Sequence, residues 1–113
     1  MNNSLLQLLG IARRAGKLAL GSEAACGAVR AKRAVLVLLA SDLSPRTVRT
    51  VSAVAEQTGT KAITIRSTMD ELSRALGKRS GVIAVADRGF AEKLLALSTL
   101  STPSPSSILS KEE

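Results

Sequence analysis

The stretch Ala34-Val35-Leu36-Val37-Leu38-Leu39-Ala40 is seven consecutive apolar residues. No polar residue marks a solvated face, so a strand built from it is covered on both sides, which predicts a central place in a parallel sheet. The run is far shorter than the ~20 residues that cross a bilayer. Its flanks carry helical spacing instead. Downstream, Ser44-Pro45 supplies an N-cap followed by proline at the first helical position, Val48, Val51 and Ala55 recur on one face, and Gly59 closes the helix. Upstream, Gly21-Ser22 opens a helix that reaches about Lys32, with Ser22 expected as its cap.

The same alternation continues in both directions. Ser4 and Gln7 have capping-box spacing, and Leu5, Leu8, Leu9 and Ala12 follow a helical stripe until Gly16. Lys17 to Leu20 reads as a short strand. Ala62 to Ile65 reads as another, after which Thr68 and Glu71 form a capping box for a helix through Leu72 and Leu76 to Gly77. Gly81 to Ala86 is a further buried strand, and Asp87 caps a last helix that places Phe90, Leu94 and Leu97 on one face. The expectation is an α/β fold: a single three-layer α/β/α sandwich with a small four-stranded, mostly parallel (mixed) sheet. Residues 1–97 form that domain. Residues 98–113, with six serines, two threonines and two prolines, read as a flexible tail.

Composition narrows the function. Among 113 residues there are 16 Lys and Arg against 9 Asp and Glu, a net charge of +7, and no His, Trp or Tyr. Absence of histidine removes Ser-His-Asp and Cys-His catalysis and histidine-ligated metal sites. Cys26 is the only cysteine, so neither an intrachain disulfide nor a Cys-x-x-Cys metal site is available, and it is expected to be a small buried hydrophobe. The first residues carry no positive charge ahead of their leucines, and a cytoplasmic protein, with no membrane partner, is expected. A basic folded domain suits a polyanion, and nucleic acid is the commonest. With Phe90 as the one aromatic residue there is no platform on which unpaired bases could stack.

The catalytic-looking motifs fail on inspection. Gly77-Lys78-Arg79-Ser80 ends like a phosphate-binding loop, but Leu72 stands where its first glycine belongs and Arg79 where the magnesium-binding hydroxyl belongs. Asp70 and Glu71 are better placed to interact with a helix dipole than with each other. No cofactor, metal or catalytic residue is expected. What remains is the helix opening at Gly21, Ser22 and Glu23, whose backbone N–H groups suit a phosphate. Glu23, Gly27 and Arg30 continue it as one surface stripe, in which Gly27 marks either close approach of another backbone or a tolerated exposed glycine. Arg30, Lys32 and Arg33 cluster at the far end of that helix. Loops that leave helices and lead into strands share one edge of such a sandwich, so Lys32, Arg33, Lys78 and Arg79 are expected on related parts of the surface. Arg13, Arg14 and Lys17 form the next basic cluster.

Several stretches carry a resemblance: Leu8-Leu9-Gly10-Ile11-Ala12-Arg13-Arg14-Ala15-Gly16-Lys17, Gly21, Ala34 to Asp42, Asp70 to Lys78, and Val85-Ala86-Asp87-Arg88-Gly89-Phe90-Ala91. Over about residues 4–97 the chain resembles the ribosomal protein seven-Ae and thirty-e superfamily, and most closely its bacterial YlxQ-like branch. The resemblance implies a compact α/β/α sandwich without catalysis that binds RNA, in many members a kink-turn, and with it a ribosomal or kink-turn-like RNA partner, ribosome association and a monomeric state. In the best-characterised members of that superfamily the helix opening reads Gly-x-Asn-Glu-x-x-Lys. Here Gly21 matches, whereas Glu23, Ala24 and Gly27 occupy the Asn, Glu and Lys positions, so the base-reading set is largely replaced. The resulting expectation is a non-enzymatic protein that contacts structured RNA through Gly21, Ser22, Glu23, Gly27, Arg30, Lys32, Arg33, Lys78 and Arg79. The alternative is a protein–protein interaction module on the same fold that has lost kink-turn reading.

Overall fold

A computed structural model describes residues 3–101. The elements follow the order α1 (Asn3–Arg14), β1 (Leu18–Leu20), α2 (Ser22–Arg30), β2 (Leu36–Leu39), α3 (Pro45–Thr58), β3 (Lys61–Thr64), α4 (Met69–Leu76), β4 (Val82–Val85) and α5 (Arg88–Ser101). The four strands form one sheet in the order β1-β4-β2-β3. Strands β2 and β4 lie at its centre with every residue buried, and successive side chains enter opposite layers. Leu36, Leu38, Ile83 and Val85 pack with Leu5, Leu9, Leu72, Leu76 and Leu94 of α1, α4 and α5. Val37, Leu39, Val82 and Ala84 pack with Ala25, Ala28, Val29, Val51 and Val54 of α2 and α3. The three-layer sandwich is therefore present.

The sheet is mixed, but its balance differs from the expectation of a mostly parallel one. Only β2 with β3 is parallel, whereas β4 runs antiparallel to both β1 and β2. The reason is physical. An unbroken apolar run reports that helices cover both faces of a strand, and that coverage is the same whichever direction its neighbour runs.

Helix boundaries follow their local signals closely. Ser44 accepts from the Thr47 N–H at 3.2 Å with Pro45 at N1, and Gly59 closes α3 in the left-handed region. Thr68 and Glu71 form the reciprocal capping box of α4, which ends at left-handed Gly77. Asp87 accepts from the Phe90 N–H at 2.9 Å and so caps α5. Helix α1 begins at Asn3, which places Ser4 inside it rather than at its cap. In α2 the cap is Gly21 (φ 96°, ψ 154°), a conformation open essentially to glycine, and Ser22 is the first helical residue.

The far end of α2 is unusual. Lys32 N–H donates to the Val29 carbonyl and Arg33 N–H to the Ala28 carbonyl, both at 2.9 Å, a Schellman closure with Lys32 at φ 62°. Helices α1, α3 and α4 have Gly16, Gly59 and Gly77 in their left-handed closing turns. Lysine there costs about 1 kcal/mol relative to glycine. Helix α5 extends through Ser101 and so takes in the first four residues of the stretch read as a tail, and residues 102–113 lie outside the described residues.

Candidate nucleic-acid interface

The antiparallel β1–β4 pairing brings together two of the segments singled out in the sequence. Leu20 pairs with Ile83, and one residue further on the Gly21 N–H donates to the Val82 carbonyl at 2.8 Å. The opening of α2 is thus fastened beside the 77–81 loop that carries Lys78 and Arg79. That loop is itself drawn in by its last residue. Gly81 is buried, and a Cβ there would lie 2.6 Å from Leu43 Cδ1 and 3.1 Å from Met69 Cγ, so glycine lets the loop approach the β2–α3 turn and the start of α4.

Helix α2 begins without a side-chain cap, in contrast to α3, α4 and α5. Ala25 N–H donates to the Gly21 carbonyl at 2.8 Å, and the three residues before it in the first turn, Ser22, Glu23 and Ala24, are exposed. The orphan N–H donors of a first helical turn, with the positive end of the helix dipole, suit an anion. Most acidic groups at this end are occupied: Asp42 accepts from the Met69 N–H at 2.9 Å, Glu71 completes the α4 cap, and Asp70 pairs with Arg79 at 3.3 Å. Glu23 stays exposed, with no hydrogen bond or ion pair from a side chain among the described residues.

Alongside the opening runs a groove of about 350 Å³ between α2 and α3, lined by Ser22, Glu23, Cys26 and Arg30 on one side and Arg46, Thr47, Thr50 and Val51 on the other. Glu23 and Arg30 of the polar stripe therefore stand in one wall of a groove, and Gly27 lies outside its lining. Cys26 sits in its floor, buried as expected. Gly27 has open space where a side chain would be, so no neighbouring backbone requires the glycine. Arg46 is the residue the sequence reading missed. Its position at the second residue of α3 was visible, but its place opposite Glu23 and Arg30 depends on how α2 packs on α3, which no local signal encodes.

Not all the expected residues come together. Gly21, Ser22, Glu23, Arg30, Lys78 and Arg79 belong to the α2-opening end of the sheet or the groove leading from it, while Gly27 is exposed in the middle of α2 outside the groove lining. Lys32 and Arg33 do not. They precede β2 at Leu36, which pairs with Val85, whereas the 77–81 loop leads into β4 at Val82, which pairs with Leu39. Antiparallel strands begin at opposite ends of their pair, so the shared edge expected for Lys32, Arg33, Lys78 and Arg79 does not form. Arg13 of the neighbouring cluster has a structural task, since its guanidinium donates to the Leu76 carbonyl at the end of α4. Among the described residues there is no cluster of His, Cys, Asp and Glu able to hold a metal ion, and no helix is long and apolar enough to cross a membrane.

This arrangement of strands and helices has known counterparts. The model of the Ribosomal protein L7Ae/L30e/S12e/Gadd45 family matches residues 3–95. The chain belongs to this family. Among curated relatives, the RNA-binding protein YlxQ of Bacillus subtilis (strain 168) is 38% identical over 93 residues, covering 80% of this chain and 90% of its own. The RNA-binding protein YlxQ of Enterococcus faecium is 32% identical over 88 residues, covering 78% and 84%. Among solved structures, a Bacillus halodurans protein of unknown function superposes with a TM-score of 0.76 at 35% identity, covering 82% of this chain and 94% of its own. The 15.5 kD RNA-binding protein of Giardia lamblia, at 20% identity and a TM-score of 0.69, covers 85% and 82% and shares the fold.

Proposed function

We propose that this chain is a non-enzymatic, cytoplasmic RNA-binding protein that acts as a monomer on structured RNA of the ribosomal or kink-turn-like kind, through the end of the sheet where α2 opens. Family membership and the RNA-binding relatives support the class of ligand. The observation that carries the choice of surface is the Gly21-to-Val82 hydrogen bond, because it holds an uncapped helix opening next to the basic 77–81 loop. A phosphate is received by the free N–H groups of Ser22, Glu23 and Ala24. Lys78 and Arg79 neutralise its neighbours, and Arg30 and Arg46 follow the backbone along the groove. These contacts fix position and carry no sequence information.

Sequence reading at this surface falls to Glu23, whose carboxylate can accept from the exocyclic amino group of cytosine or guanine in a non-paired or widened segment. Where relatives with the Gly-x-Asn-Glu-x-x-Lys opening have polar side chains, Ala24 and Gly27 offer none. Recognition here thus depends more on RNA shape and phosphate geometry than on a set of base contacts.

The test is a salt titration of binding to three RNAs: one with a kinked internal loop, a straight duplex and a single strand. Four neutralised phosphates give a slope of log affinity against log salt of roughly −2.8 to −3.6. The kinked RNA is expected to bind tightest. No binding to any of the three at low salt would refute the proposal, and partners captured from cells that persist after RNase treatment would favour the protein-interaction alternative.

A further inference from the structure

The cations missing from the α2-opening end are gathered at the other end of the strands. Leu36 pairs with both Val85 and Lys61, and the Ala86 N–H donates to the Lys17 carbonyl at 2.8 Å. The first residues of β1, β2 and β3 and the last of β4 therefore meet there, bringing Lys17, Lys32, Arg33, Lys61 and Arg88 to one end, all exposed. Lys32, Lys61 and Arg88 line a single concavity of about 450 Å³, with Leu36 and Ala91 beneath them. Glu92 is the one acid in its lining, and Asp87 beside it is committed to the Phe90 N–H. None of the three cations has an ion-pair partner among the described residues. Three cations against the single carboxylate of Glu92 leave a net positive charge around the depression, which focuses a positive potential into it.

The backbone supplies a second, independent observation. Lys32 holds the left-handed position that closes α2, where the closing turns of α1, α3 and α4 use glycine. A glycine would close this turn with less strain, and a lysine retained against that preference points to a use for its side chain. That side chain belongs to the lining of the concavity.

We propose that this concavity binds the phosphate backbone of a second RNA segment, so that the domain bridges two RNA segments held at opposite ends of its sheet; the inference rests on the RNA-binding reading above. The four-residue strands separate the loop cations Lys78 and Arg79 from this concavity by about 13 Å. That exceeds the Debye length of roughly 8–10 Å at ordinary ionic strength, so phosphates held at one end scarcely repel those at the other.

The experiment uses the full chain, a kinked internal-loop RNA carrying a fluorophore, and a biotinylated short duplex on a surface. Anisotropy reads binding of the first RNA, and surface capture of its fluorescence through the protein reads bridging. The triple variant Lys32→Gly, Lys61→Gln, Arg88→Gln is expected to keep the first affinity within about twofold and lose at least tenfold in capture. Lys32→Gly alone is expected to raise the melting temperature while lowering capture, which separates a binding role from a folding role. Bridging undiminished in the triple variant, or no bridging by the wild type despite tight anisotropy binding, overturns this inference and leaves the first surface intact. Wild-type protein that binds neither RNA overturns the RNA-binding reading itself.

Discussion

Gly27→Ala tests the description of α2 and the use of its exposed stripe together. Glycine inside a helix is about 0.8–1.0 kcal/mol less favourable than alanine. At Gly27 nothing offsets that gain, since no atom beyond its own stretch of helix lies within 4 Å of the position its Cβ would take and its φ is not positive. Unfolding entropy near 60 °C is roughly 2.1 cal/mol/K per residue, so a chain of 113 residues gains about 3–4 °C in melting midpoint. Gly59→Ala is the matched control. It also has open space around the missing side chain, but its φ is 72°, so alanine is strained and the midpoint falls. Differential scanning calorimetry reads both, and RNA affinity of Gly27→Ala is expected to stay within about twofold. A lowered midpoint for Gly27→Ala would refute the open, regular helix described for α2. A raised midpoint with a tenfold loss of RNA affinity would refute the other half of the reasoning, because it would mean that the RNA backbone packs against the glycine.

Gly27→Lys is expected to steepen the salt slope of RNA binding by roughly 0.7–0.9, one added phosphate contact, and an unchanged slope would place the RNA away from this stripe. Thr68→Ala removes the side-chain acceptor of the α4 capping box and is expected to cost about 1 kcal/mol in urea unfolding; an unchanged midpoint would deny the cap a role. Leu38→Ala, at a position with no solvent exposure, is expected to cost about 2–5 kcal/mol by the same measurement, and a loss below 1 kcal/mol would contradict its place between the helix layers. Asp70→Asn releases Arg79 from a pair whose side chains are 72% and 66% exposed, so stability stays within about 0.5 kcal/mol while RNA affinity at low salt rises; weaker binding would show that the pair positions Arg79 for the RNA.

The elements that were legible in the sequence are those specified by neighbours along the chain. Ser44-Pro45 with Gly59, and Thr68 with Glu71 and Gly77, bound α3 and α4 because caps and left-handed closures act within one helical turn. The layers were legible for a similar reason, since burial on both faces is written into runs such as Leu36–Leu39 and Val82–Val85. Strand direction was not. Hydrogen bonding between β4 and its neighbours joins segments far apart in sequence, and an apolar run is indifferent to whether its partner is parallel. The candidate site divides along the same line: Gly21 at the helix opening could be read locally, whereas Arg46 reaches the groove only through the packing of α3 on α2.

That one undetermined direction decides how the charge is distributed. In an all-parallel sheet every helix-to-strand turn falls at one end, and Lys32, Arg33, Lys78 and Arg79 would make a single patch, with the α2 opening at the other end. Reversing β4 exchanges this for two surfaces. The 77–81 loop moves to the α2 opening, where its cations stand beside uncapped N–H donors, while the exit of β4 carries Arg88 to Lys32 and Lys61. Part of the basic charge that the sequence places on residues 1–97 is thereby set at a helix-opening end suited to a bent backbone, and another part at a concave end suited to a second one. Removing charge from either end alone should then change a different property of the complex, affinity for one RNA at the first and the joining of two at the second. A single basic patch would lose both together.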